Sequence, residues 1–214
     1  MATTDVDICN SALFNLGANE ISSLEDDESD RAALLARVYP AFKEARLTEY
    51  PWNWARTKAQ CSQDATAPAN EWKYQYLVPA ECLEVHAVYD SSSVGVRPFK
   101  RFERQGGFLL SDATVLYIDM TEDKDESDWP GLFEDYAAAA LSARIAHGVT
   151  GRQGDSEHWW QVAYGLPAEQ GEGGLYRKVK AWDSRQTPPK QIQDWTLVEA
   201  RFGGAGLVAD ERLR

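Results

Sequence analysis

The stretch Tyr50-Pro51-Trp52-Asn53-Trp54-Ala55-Arg56-Thr57-Lys58 is where the chain changes its period, and that change decides the fold. Before it, apolar residues recur every three or four positions; from Trp54 onward they alternate. The first spacing builds a helix with one apolar stripe and the second a strand with one apolar face. Pro51 marks the switch, because proline lacks the ladder N–H and pushes the residue before it out of helical geometry. The chain therefore reads as α+β, with a helical unit handing over to a sheet.

Working back from Pro51, Val6, Cys9, Leu13 and Leu16 lie on one helix face, Thr4 with Asp7 forms a capping-box pattern, and Gly17 suits the left-handed position past a helix end. A carboxylate-rich loop, Glu25-Asp26-Asp27-Glu28, precedes a second helix over about 30–49 with Leu34, Val38, Phe42 and Ala45 inward and a bend expected at Pro40. Working forward, Trp72-Lys73-Tyr74-Gln75-Tyr76-Leu77-Val78 alternates again. Further strands are expected over 83–89, 96–102, 108–110 and 115–118, giving one small antiparallel sheet across about 52–120. The helical period returns at Asp128, read as an N-cap, through Phe133, Tyr136, Ala140, Leu141, Arg144 and Ile145 to Gly148. A fourth helix starts near Asp155 with Trp159, Val162 and Ala163, breaks over 165–174 and resumes over 175–183. The expectation is one domain over 1–190, a bundle of about four helices (4–50 and 128–184) with the sheet inserted between helices two and three. Leu13, Leu16, Val38, Phe42, Tyr136 and Ala140 should be buried in it. After Pro188-Pro189, residues 191–214 form an extended C-terminal arm.

Composition bounds the function. With 43% hydrophobic and 26% charged residues, eight Trp and nine Tyr, the chain is that of a folded protein. Cys9, Cys61 and Cys82 are odd in number and lack metal-ligand spacing, so they read as buried thiols of a cytoplasmic protein. No signal-peptide pattern opens the sequence, and no run approaches the length of a membrane span. A net charge of −12 argues against gripping nucleic acid, since phosphate affinity comes from Lys and Arg. The same charge suits a passage through which DNA must slide.

Chemical motifs are sparse. His86, His147 and His158 sit on different elements, no GxSxG elbow occurs, and Gly171-Glu172-Gly173-Gly174 follows no strand. Asp123, Asp125, Ser127 and Glu134 match part of a calcium loop, but Asp128 stands where that loop turns on glycine. No carboxylate pair can be singled out for glycoside hydrolysis. The tryptophans allow one alternative to a structural role, an acidic carbohydrate- or peptide-binding module that uses them exposed.

The blocks Asp7-Ile8-Cys9-Asn10-Ser11-Ala12-Leu13, Leu16-Gly17 and Ile21-Ser22-Ser23-Leu24-Glu25-Asp26 resemble the opening of the tail tubular protein A family, the head-to-tail adaptors of tailed bacteriophages. Tyr39-Pro40, Tyr50-Pro51-Trp52-Asn53-Trp54-Ala55, the block from Trp72 through Val85 and Gly106-Gly107-Phe108-Leu109-Leu110-Ser111 follow in the same order, so the resemblance spans roughly 5–200. The break at 165–174 departs from it, falling where such proteins carry one uninterrupted helix. The resemblance implies a virion protein of the neck, assembled in the host cytoplasm. It implies a dodecameric ring between the portal protein and the tail nozzle or tail tube, with DNA passing through unread and no catalytic residue, cofactor or metal. On that reading Trp195, Leu197, Val198, Arg201 and Phe202 are nominated for the subunit or portal interface. Glu25, Asp26, Asp27, Glu28, Glu122 and Asp123 are nominated as acids facing the channel.

Overall fold

The computed structural model describes residues 3–25, 29–93 and 97–186. Within them the chain forms α1 (Asp5–Asn15), α2 (Asp30–Thr48), seven strands, then α3 (Gly131–Thr150), α4 (Gln153–Tyr164) and α5 (Gly174–Ser184). The fold is α+β. The arm at 191–214, with Trp195, Leu197, Val198, Arg201 and Phe202, lies outside the described residues, as do Asp26, Asp27 and Glu28.

The capping box at α1 is present: Thr4 Oγ1 accepts from the Asp7 N–H at 3.2 Å, and Asp7 Oδ2 accepts from the Thr4 N–H at 2.9 Å. Gly17 follows the helix at φ +67°, a conformation that L side chains resist. The α2 face differs from expectation. Leu35, Tyr39 and Phe42 are buried, whereas Leu34, Val38 and Ala45 are only partly so. The stripe is rotated because Tyr39 turns its ring inward and its hydroxyl to Glu126. Pro40 sits on the exposed side and α2 continues through it.

Seven strands make two sheets, not one. β1 (Arg56–Gln60), β7 (Tyr117–Glu122) and β4 (Cys82–Tyr89) pair antiparallel in the order β1-β7-β4. The second sheet runs β2-β3-β6-β5, from β2 (Ser62–Gln63), β3 (Tyr74–Leu77), β6 (Phe108–Ser111) and β5 (Phe102–Gln105). The expected strand over 96–102 is absent among its described residues except for Phe102; there Phe99 donates one hydrogen bond to the Val88 carbonyl at 2.7 Å. The strand expected over 115–118 instead starts at Tyr117 and runs to Glu122. Its burial does not alternate, because Ile118 and Met120 enter the sheet core while Asp119 and Thr121 are buried on polar partners. β4 slips register at Leu83 and again at His86, which hides its period.

Two further boundaries move. Asp128 is not the N-cap of α3: it ends a short 3-10 turn, and Pro130 occupies the cap, its carbonyl accepting from Phe133 and Glu134. Burying Trp129 against Phe133 sets this start, with ring centroids 4.9 Å apart. Gly148 does not end α3; it lies against Leu34 of α2, and the helix stops at Gly151 with φ +69°. Arg144, which falls on the same helical period, is exposed. The main core gathers α1, α2, α3, α4, α5 and Trp52, including Leu13, Phe42, Tyr136 and Ala140; Cys61, Tyr76, Leu109 and Ile118 lead a second core between the sheets. Among the described residues no helix is long and apolar enough to cross a membrane.

Candidate functional site

The Tyr50–Ala55 block is an anchor before it is anything else. Trp52 is fully buried, donates from Nε1 to the Arg46 carbonyl at 3.0 Å and packs edge-on against Phe133 and Tyr176. The next residue is held from the far end of the chain. Asp183 of α5 accepts from the Asn53 backbone N–H at 3.0 Å and from its side-chain amide at 2.9 Å. Burial raises the Asp183 pKa above the usual carboxylate range, and the bonds from Asn53 oppose that. Between these anchors, Arg46 reaches Glu49 at 2.9 Å and the Tyr136 hydroxyl at 3.2 Å, and Tyr136 meets Tyr164 at 3.0 Å. One polar cluster thus ties α2, α3 and α4 together inside an aromatic shell.

The acidic segment after β7 is similarly engaged. Glu122 accepts from Thr57 at 2.6 Å and pairs with Lys124 at 2.8 Å; the bonds from Lys124 and Thr57 hold its carboxyl below the usual range. Asp123 lies 3.3 Å from Lys43, and Glu126, buried, takes Lys43 and the Tyr39 hydroxyl. Of the nominated channel acids, Glu25 is exposed in the α1–α2 loop and Asp123 half-exposed, while Glu122 is only partly open. They stand on separate elements, and lysines neutralise the second group.

Thr121 Oγ1 is 2.7 Å from His86 Nε2, but Thr121 is fully buried and no substrate can reach it. His147 and His158 are both exposed. Among the described residues no group of three or more His, Cys, Asp or Glu could hold a metal ion, and the partial calcium loop is spent on a 3-10 turn with Glu126 turned inward. Burial raises the Cys9 pKa to about 12 and that of Cys61 to about 11, as expected of structural thiols.

What the surface offers is a groove of mixed polar and apolar lining. α1, α3, α4 and the start of α5 enclose about 630 Å³, with Phe14 76% exposed at its edge. Such exposure of a phenylalanine is unusual unless something covers it. Sequence reading missed this residue, although its place off the stripe of Val6, Cys9, Leu13 and Leu16 was the available signal. No protein-family model matches the chain, and no curated protein matches it.

Proposed function

We propose that the chain is a structural protein of a tailed-bacteriophage particle, a head-to-tail adaptor that forms a ring between portal and tail and lets DNA pass. The observation that carries the reading is that the ordered sequence blocks resembling such adaptors coincide with the joints of the fold. In the first block, the Asn10 amide clamps the backbone of Ile21 in both directions, accepting at 2.8 Å and donating at 3.0 Å. Gly17 makes the turn between them. In the next, Trp52 and Asn53 join helices to sheets through Arg46 and Asp183. A residue order that reproduces the joints of a fold is harder to arrive at by chance than any one block.

The tryptophans weigh against the carbohydrate- or peptide-binding alternative. A stacking platform needs several open aromatic faces, and of the described tryptophans only Trp160, at 39%, is exposed. The carboxylates of Glu122 and Asp123 are committed to intramolecular lysines, which suits a wall more than an active site. The test is direct: purified protein added to portal-bearing, tailless heads should appear in micrographs as a closed ring at the portal vertex. A protein that stays monomeric and leaves those heads bare refutes the proposal.

A further inference from the structure

We propose that the recess where α2, α3 and α4 meet is a binding site for an organic carboxylate, with the Arg46 guanidinium as its receptor. The site goes beyond the adaptor reading and does not depend on it. Each helix supplies a pair at helical spacing: Phe42 and Arg46 from α2, Ala140 and Arg144 from α3, Trp160 and Tyr164 from α4. They enclose about 210 Å³. Ala140 and Ala143, both buried, line the recess with side chains too short to fill it.

Arg46 is only half used by the fold. Its guanidinium stands over the rings of Phe42 and Tyr164, 5.5 and 5.7 Å from their centres, and donates in its own plane. Its polar contacts among the described residues run through Nη1, to Glu49 at 2.9 Å and to the Tyr136 hydroxyl at 3.2 Å. Neither of those partners lines the recess. Nε is buried and has no hydrogen-bond partner among the described residues. Arg56 shows what the same edge does when an acceptor is present, since its Nε and Nη2 both donate to the Asp119 carboxylate. A buried cationic donor without an acceptor is costly, and a planar carboxylate is the group that fits a guanidinium edge. Glu49 offsets the charge of Arg46, but Arg144, exposed at the rim, restores an excess, and no carboxylate lines the recess in a chain of net charge −12. The remaining lining selects the kind of anion. Trp160, 39% exposed, lies with its ring centre 5.4 Å from that of Tyr164, and with Phe42 and the alanines it offers carbon surface. A bare inorganic anion forgoes that surface, whereas a carboxylate on an apolar stem uses both parts. Such a group comes either as a glutamate side chain of a protein partner or as a free small acid.

Nuclear magnetic resonance of the full-length, nitrogen-15-labelled chain reads the site through the Arg46 Nε–H and Trp160 indole N–H signals, assigned by their loss in Arg46→Lys and Trp160→Phe. Phenylacetate and the peptide N-acetyl-Gly-Glu-Gly-amide are titrated separately at constant ionic strength, with sulfate as the inorganic control. At least one carboxylate should shift both signals saturably, with a dissociation constant of about 1–10 mM, ordinary for so small a ligand. Shifts with the peptide assign the site to a partner's glutamate, and shifts with phenylacetate alone assign it to a free acid. Arg144→Glu, a change at an exposed residue, should weaken that binding about tenfold or more and leave the melting temperature unchanged, while Arg144→Lys should keep most of it. The proposal is overturned if neither carboxylate gives a saturable shift, if sulfate shifts both signals equally well, or if Arg144→Glu binds like the parent chain. None of these readouts involves ring formation on heads, so the site and the adaptor reading stand or fall separately.

Discussion

Asp183 has no exposed surface, and its carboxylate is spent on holding the Asn53 turn. Because burial raises its pKa from the ordinary 3.8, the folded state binds the proton more tightly than the unfolded one. Its contribution to stability is therefore greatest at low pH and falls as pH rises through the raised value. Asp183→Asn should remove that fall, while Asp183→Ala, which strands the Asn53 donors, should cost about 1–3 kcal/mol. Glu122 has the opposite sign. Bonds from Lys124 and Thr57 lower its pKa from 4.5, so its stabilisation is present above that value and is lost as pH falls through the depressed one. Glu122→Gln should thus flatten the acid side of the curve. Urea unfolding of both variants across the acid range checks the pair: slopes changing in the same direction would contradict the assignment.

Among the elements, α2 and the α4–α5 corner separate what the sequence could tell from what it could not. Period located α1, α2 and α3 and the hand-over at Pro51, although α3 proves to be buried on every side from Tyr136 to Ala143. It misplaced the α2 stripe by one position, since nothing local indicates that Tyr39 will bond to Glu126, 87 residues away. It also merged two sheets into one, because β7 is buried on both faces and β4 carries two register slips. Of the surface, it nominated acids by abundance; which of them lysines would neutralise depends on tertiary neighbours such as Lys43. Leu35→Ala should cost about 2–5 kcal/mol and Val38→Ala clearly less, the order expected when Leu35 is fully buried. The corner gives a sharper contrast. Gly165 has φ +85° and ψ −170°, and a Cβ there would come 2.7 Å from the Gly173 Cα. Gly171, also at positive φ, faces open space. Gly171→Ala should bear backbone strain alone, about 1–3 kcal/mol, and Gly165→Ala the same strain plus a backbone clash. Equal shifts in melting temperature would mean that the corner relaxes freely.

At the level of the whole molecule, the described residues of both buried cores run from Ile8 to Val179. Residues 191–214 include Trp195, Leu197, Val198, Phe202 and Leu207, more large apolar groups than a purely solvated tail carries, with Arg201, Arg212 and Arg214 among them in a chain whose net charge is −12. Cations on such a segment can set register against the carboxylates of another subunit or of the portal, giving orientation more than affinity. Removing residues 191–214 should then separate folding from assembly. If the arm serves assembly, the shortened chain should keep its unfolding midpoint and should remain monomeric where the full chain associates. It should also fail to fill the neck of portal-bearing heads. Sedimentation and micrographs of such heads read the two properties independently. A truncated protein that unfolds at much lower denaturant would show that the arm packs on its own domain; one that occupies the neck as fully as the intact chain would show that assembly runs through other surfaces.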